Sequence, residues 1–285
     1  MSSVPTLYPI LYDDLVRATL REDLGAAGDL TSDAVIPSGQ TARTVIVTRQ
    51  DGRIAGLDVA IHAFRTLDPQ VRVTVVLPDG SDAPAGATLA TINGLARQML
   101  SAERTALNLL GRLCGVATAT RSLVRLVEGT GAAIACTRKT TPGLRTLEKY
   151  AVRVGGGMNH RFGLDDAVLM KDNHIAAVGS LTDAVARVRG SVGHLVKIQV
   201  EVDTMEQLAE LLQTRADAVL LDNFKPADLR EAVRLIAGRM IVEASGGITR
   251  DTIRAVAETG VDLISVGALT HSASVLDVGL DFALT

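Results

Sequence analysis

The chain has 285 residues, 47% of them hydrophobic and 21% charged, with a formal net charge of -3. That length suits one large domain or two modest ones with a substantial core of Ala, Val and Leu. With no Trp, three Tyr and four Phe, the chain lacks the basic surface and stacking rings of a nucleic-acid binder.

No apolar run approaches the roughly 18 residues of a membrane span, so no membrane partner is expected. The start, Met1-Ser-Ser-Val-Pro5, has neither a basic n-region nor an apolar h-region, which argues against a secretory signal. Cys114 and Cys136 are too few for a disulfide framework and have no zinc-ligand spacing. Reduced, buried thiols in a cytoplasmic protein are the expectation.

In chain order, Asp13 or Asp14 can cap an opening helix with Tyr12, Leu15, Val16 and Leu20 on one face, ended by Gly25. Gly28 to Thr31 is expected to turn, Thr44 to Thr48 to form a strand, and Asp51-Gly52 a hairpin turn. Val59, Ala63, Phe64 and Leu67 make a helical stripe, and strands follow at Val71 to Leu77 and Ala87 to Ile92. This irregular order predicts an N-terminal α+β sandwich domain over residues 1–110, onto which a tail, 270–285, can pack back. A long helix should run from about Leu95 to Glu128, with Gly111 or Gly115 as candidate breaks. Arg104 shares a face with Leu100 and Leu107. A guanidinium there needs a partner or a route to water.

After Gly131 the pattern becomes strand-then-helix, giving a second domain at 111–269. Apolar strands at 132–136, 167–171, 195–201, 218–222, 240–243 and 262–266 alternate with helical stretches near 143–154, 181–188, 204–213, 226–237 and 249–258. The later strand ends, Glu201, Asp222, Glu243 and Val266, are 21, 21 and 23 residues apart. Right-handed crossovers would close such a repeat into an α/β barrel of the TIM type, incomplete at six strands. An open doubly wound sheet is the alternative.

The stretch from Cys136 to His174 carries seven of the 29 Lys and Arg in 39 residues. A solvated basic face would be the ordinary explanation. Placement is more telling, because Arg138 and Lys139 follow one apolar run and Lys171 another. Cations at the exits of buried strands face the end of a sheet where α/β proteins bind ligands, which points to carboxylate or phosphate. Glu201 and Asp222 end two further strands, opposite these cations or paired with them. They could meet a Mg²⁺-bearing substrate, accept bonds from sugar hydroxyls or steady a developing positive charge. The exits Ser245-Gly246-Gly247 and Val266-Gly267-Ala268 are small and Gly-rich, either phosphate loops or simply tight turns. His160 beside Arg161 is a further candidate for a carboxylate, and Gly155-Gly-Gly157 should terminate a helix ahead of that pair.

Taken in order, a series of motifs resembles the quinolinate phosphoribosyltransferase family. It comprises Glu22-Asp-Leu-Gly25, Gly28-Asp29, Glu103-Arg-Thr-Ala-Leu-Asn108, Thr137-Arg-Lys-Thr-Thr-Pro-Gly143 and Lys149-Tyr-Ala-Val-Arg153. Gly155-Gly-Gly-Met-Asn-His-Arg161, Lys171-Asp-Asn-His174, Leu221-Asp-Asn223 and Glu243-Ala-Ser-Gly-Gly247 complete it. The resemblance spans almost the whole chain, and no position expected to touch ligand departs from it. It implies a sandwich plus an incomplete barrel, paired as a homodimer whose sites are completed by Arg104 in trans. Quinolinate carboxylates would meet Arg104, Arg138, His160, Arg161 and Lys171, with Thr137 beside them. The phosphate of phosphoribosyl pyrophosphate would sit on Ser245, Gly246, Gly247, Val266, Gly267 and Ala268. Ribose and Mg²⁺-pyrophosphate would lie among Lys139, Lys171, Glu201 and Asp222. Implied products are nicotinate mononucleotide, pyrophosphate and CO₂, for NAD synthesis. The rivals are a molybdenum-associated paralogue with another substrate, a Schiff-base lyase using Lys171 or Lys139, and a non-catalytic anion-binding barrel.

Overall fold

The computed structural model describes residues 4–282. Within them, contacts define two compact units, one from Met1–Arg121, Thr140–Gly156 and Leu269–Thr285, the other from Ser122–Lys139 and Gly157–Ala268. The expectations for Met1 to Ser3, and for the last three residues of the tail, lie outside the described residues.

The first unit starts with a 3₁₀ turn at Pro9–Leu11 and α1 at Asp13–Leu24. Asp13 and Asp14 face the positive end of the α1 dipole while Val16 and Leu20 turn inward. Helix α2, Leu30–Val35, occupies the place of the expected turn. Asp29 caps it by accepting the Ser32 N–H at 2.9 Å. Strand β1 (Thr41–Thr48) is followed by β2 (Gly52–Arg53), α3 (Leu57–Leu67), β3 (Arg72–Val75), β4 (Asp82–Ala83) and β5 (Thr88–Leu95). Helix α4 (Ala96–Leu126), α5 (Arg145–Val154) and β12 (Val278–Phe282) complete the unit.

The main sheet runs β12-β1-β5-β3, and its β12-β1, β1-β5 and β5-β3 pairings are all antiparallel. No hairpin forms at Asp51-Gly52, because β1 pairs with β12 and β5 whereas β2 pairs with β4. A Cβ at Gly52 would meet the Leu276 methyls at 2.7 Å. That glycine therefore serves close packing, not a turn. Gly111 and Gly115 act similarly. Helix α4 is continuous through both, and side chains there would strike the backbone at Leu276 and Ser274.

A buried ion pair joins α4 to α5. The guanidinium of Arg112 donates to Glu148 Oε1 at 2.7 Å, and the Glu148 side chain is fully buried. Thr141 N–H and Oγ1–H donate to the same carboxylate, while Arg112 also donates to the carbonyls of Ala273 and Thr270.

The second unit is built on β6 (Ala133–Ala135), β7 (Val168–Met170), β8 (Ile198–Val202), β9 (Ala218–Asp222), β10 (Ile241–Ser245) and β11 (Leu263–Ser265). Between them lie α6 (Asp172–Val178), α7 (Leu181–Ser191), α8 (Met205–Leu211), α9 (Pro226–Ile236) and α10 (Ile253–Ala257), and α11 (Ala268–His271) follows β11 where the chain returns to the first unit. Local side chains start several of them. Ser180 accepts the Asp183 N–H, Thr204 accepts the Gln207 N–H, and Pro226 opens α9.

All strand pairs are parallel, in the order β6-β11-β10-β9-β8-β7. The first and last strands in sequence, β6 and β11, are therefore neighbours, as in a closed ring, and the ring is open between β6 and β7. This is an incomplete α/β barrel. Met158 covers the β6 edge, donating to Ile134 O at 2.7 Å and accepting from Cys136 N–H at 3.1 Å. No described helix is long and apolar enough to cross a membrane.

Candidate active site

Side chains alternate along a strand, so residues two apart share a face. Leu169 and Lys171, Leu220 and Asp222, and Glu243 and Ser245 are such pairs, and all six line one cavity of about 430 Å³ in the second unit. Glu201 and Ser265 join them from β8 and β11. Thr137, Arg138 and Lys139, which follow β6, and His160 and Arg161, which precede β7, complete the wall. The strand-exit cations and both acids singled out by their position in the sequence thus meet at one rim.

Several of these side chains are held by hydrogen bonds within the rim. Lys171 Nζ donates to Glu201 Oε2 at 2.6 Å, and Asn223 Nδ2 donates to Asp222 Oδ2 at 2.7 Å. Lys171 is fixed at the start of α6, where its N–H donates to His174 Nδ1 at 3.0 Å and its carbonyl accepts the His174 N–H at 2.9 Å. Arg161 Nη1 donates to Ala167 O at 3.0 Å, but its Nε is buried with no hydrogen-bond partner among the described residues. Burial and the neighbouring Arg138 hold the Arg161 guanidinium below its usual pKa, with Asp166 opposing. Crowded, desolvated cations of this kind are relieved by an anion. Guanidinium groups suit planar carboxylates, which they can engage through two parallel bonds.

Two polar residues that the strand pattern had not singled out as site residues sit beneath the rim. Gln199 in β8 and Glu243 in β10 are 9% and 1% exposed. Gln199 Nε2 donates to Glu243 Oε2 at 2.7 Å, and Gln199 Oε1 lies 2.9 Å from His160 Nε2. The Arg161 N–H donates to His160 Nδ1 at 2.9 Å. Both ring nitrogens of His160 therefore have protein partners. The sequence did hold a signal for these residues, since each is a polar side chain two positions before a rim residue, Glu201 or Ser245.

The two Gly-rich exits differ. Gly246 and Gly247 have φ of 88° and 60°. A Cβ on Gly246 would collide with the Asn223 side chain and its backbone N, so this turn demands glycine. Val266 is buried and gives its N–H to Ala135 O at 2.9 Å. Gly246, Gly247, Val266, Gly267 and Ala268 lie just beyond Ser245 and Ser265, outside the cavity wall itself. Arg104 belongs to the first unit, and its side chain is 64% exposed. It shares a shallow depression with Glu22, Asp23 and Asn108. Its guanidinium thus reaches water, although Leu107 on the same helix is buried.

Among the described residues no group of three or more His, Cys, Asp or Glu is placed to hold a metal ion. One or two carboxylates at a phosphate site are nonetheless the usual protein share of a Mg²⁺ that arrives with its substrate. Glu201 and Asp222 fit that donor set.

Fold and cavity define an α/β protein with a cavity lined by cations at the C-terminal rim of a parallel sheet. Comparison with known proteins narrows the class. Residues 116–281 match the model for the C-terminal domain of quinolinate phosphoribosyl transferase, and residues 29–114 match that for its N-terminal domain. The chain is 45% identical over 273 residues to nicotinate-nucleotide pyrophosphorylase [carboxylating] of Mycobacterium leprae, covering 94% of this chain and 96% of that one. The solved nicotinate-nucleotide pyrophosphorylase of Francisella tularensis superimposes with a TM-score of 0.93 at 37% identity, over 99% of this chain and all of that one. NadC from Streptococcus pyogenes gives 0.94 at 38% identity, over 98% of this chain and all of that one. The chain belongs to the quinolinate phosphoribosyl transferase family of phosphoribosyltransferases.

Proposed function

We propose that the cavity joins quinolinate to phosphoribosyl pyrophosphate and decarboxylates the adduct, releasing nicotinate mononucleotide, pyrophosphate and CO₂ for NAD synthesis. The observation that carries this is the meeting of Arg138, Lys139, Arg161 and Lys171 with Glu201 and Asp222 on one rim. Two polyanions brought together need such a cationic wall, and a sugar cation formed between them needs an acid.

Arg138, Arg161 and Lys171 take the pyridine carboxylates, with Thr137 and His160 shaping the wall beside them. Ser245 and the turn at Gly246 and Gly247, with Gly267 and Ala268 after the adjacent strand, take the sugar phosphate through side-chain hydroxyl and backbone N–H groups. Lys139 and Lys171 hold the pyrophosphate side, with Glu201 and Asp222 facing the ribose. Mg²⁺ held there would neutralise charge on the departing pyrophosphate. As the bond from C1 of the ribose to pyrophosphate breaks, the carboxylate of Glu201 or Asp222 stabilises the oxocarbenium character at C1. The quinolinate nitrogen then bonds to C1. Its positive charge stabilises the electron pair left on C2 when CO₂ leaves, and that pair takes up a proton.

Arg104 completes the site from a second copy of the chain. The exposure of the Arg104 side chain on the first unit leaves it able to reach such a partner. Two thiols, Cys114 and Cys136, are buried, and burial pushes that of Cys114 up to about 12. This is consistent with a cytoplasmic enzyme that keeps its cysteines reduced.

The test is release of CO₂ and pyrophosphate that requires both substrates. Turnover with phosphoribosyl pyrophosphate but not quinolinate would favour the paralogue, and borohydride trapping of a carbonyl substrate would favour a lyase. Mixing Arg104→Ala subunits with Lys139→Ala subunits should restore part of the activity. Verified mixed dimers with none would rule out an arginine supplied in trans.

A further inference from the structure

Beneath the rim, a line of hydrogen bonds runs from β10 through β8 to the segment that carries Arg161. Glu243 accepts from Gln199, Gln199 accepts from His160, and His160 accepts from the Arg161 backbone. Each link fixes the next. The Glu243 carboxylate can only accept, so it turns the Gln199 amide with nitrogen toward itself and oxygen toward the ring. That oxygen can only accept, so His160 Nε2 must carry the proton. The Arg161 N–H can only donate, so Nδ1 must be bare.

We propose that Gln199 and Glu243 are positioning residues that lock His160 in its Nε2–H tautomer and, through Nδ1, hold the Arg161 backbone so that the guanidinium faces the cavity. The inference rests on reading this cavity as the quinolinate site. His160 acts here through both its nitrogens on the protein, the role that outer residues play for ligating histidines in metal sites. The segment it anchors needs the support, because residues 159–167 form neither helix nor strand. An amide is the neutral side chain that can accept from an imidazole on one side and donate to a carboxylate on the other. A glutamate at position 199 would place two acids at the 2.7 Å separation now bridged by that amide proton.

Proton-detected nitrogen spectra of histidine-labelled protein separate the two tautomers and the imidazolium. The chain has five His, and His160→Gln assigns the signal. The wild-type protein at neutral pH should show His160 as Nε2–H. A Nδ1–H or doubly protonated ring would overturn the proposal whatever the Gln199 and Glu243 variants do. Gln199→Met, of similar length and with only a weak sulfur acceptor in place of the amide oxygen, should lose that signature. Its KM for quinolinate should rise on the order of tenfold, while that for phosphoribosyl pyrophosphate stays within about twofold. Glu243→Gln, which keeps an acceptor oxygen, should lose less than Glu243→Leu in both readouts. An unchanged spectrum and KM in Gln199→Met, or an equal rise of both KM values, would reduce the amide to packing. Wild-type protein that turns over no quinolinate would refute the function and leave the spectrum to decide the tautomer.

Discussion

One buried charge cluster in each unit shows two opposite ways of building such a cluster. In the first, Arg112 and Glu148 form a closed set, in which the guanidinium meets a carboxylate and two carbonyls while the carboxylate also accepts from Thr141. In the second, Arg161 Nε and Glu243 Oε1 are buried without hydrogen-bond partners among the described residues, at a cavity wall with three further cations. A satisfied buried pair is architecture, because nothing remains for a ligand to supply. A cavity wall that gathers cations costs stability until an anion arrives, so binding energy can be collected there.

The sharpest way to break this comparison is Lys171→Ala. It removes a cation from the anion site and releases Glu201, now held at 2.6 Å. Turnover should fall on the order of a hundredfold or more, with thermal stability nearly unchanged because the side chain is half exposed. Near-normal turnover in folded protein would remove Lys171 from the mechanism. Glu148→Gln should do the reverse. Leaving Arg112 buried beside a neutral amide is expected to cost roughly 3–5 kcal/mol of stability, measured by denaturant unfolding. Activity of the folded fraction should hold. A loss of turnover at unchanged stability would mean that the closed pair has a role in the chemistry after all.

How far the sequence could foretell this follows from the kind of signal each feature leaves. Parallel strands advertise themselves as short apolar runs, and a cation or acid just after one must lie near a rim, so Arg138, Lys139, Lys171, Glu201 and Asp222 were legible. Gln199 and Glu243 were less so, because a polar residue inside a buried strand shows its purpose only through its partner on another strand. The Arg112 and Glu148 pair, 36 positions apart, leaves no local pattern at all. Glycines were the most ambiguous. Gly52, Gly111 and Gly115 look like a turn and two helix breaks, yet each is small because another segment packs against it. Helix α6 was missed because its start coincides with the rim motif Lys171-Asp-Asn-His174, and seven residues are too few for a periodic stripe.

The smallest expected effect tests the far end of the same sheet. Asp217 precedes β9 at the N-terminal edge of the strands, where residues serve stability and not chemistry. It accepts from the Ile198 N–H at 2.9 Å, from Arg189 at 2.6 Å and from Lys197 at 3.1 Å, pinning the entry of β9 to that of β8. Burial raises its pKa, but these bonds outweigh burial and the carboxyl titrates below the usual range. A carboxyl with a depressed folded value binds its proton more readily in the unfolded chain. Its contribution is therefore complete above the ordinary carboxylate range near pH 4 and fades as pH falls through the lower folded value. Asp217→Asn should cost about 1–2 kcal/mol near pH 7, with Lys197 adding little because its side chain is 70% exposed. The difference between variant and wild type should narrow steadily below pH 4, with turnover at neutral pH unaffected. A gap that stayed constant across that range would mean that Asp217 acts as a neutral hydrogen-bond acceptor, and that charge at this edge matters no more than its shape.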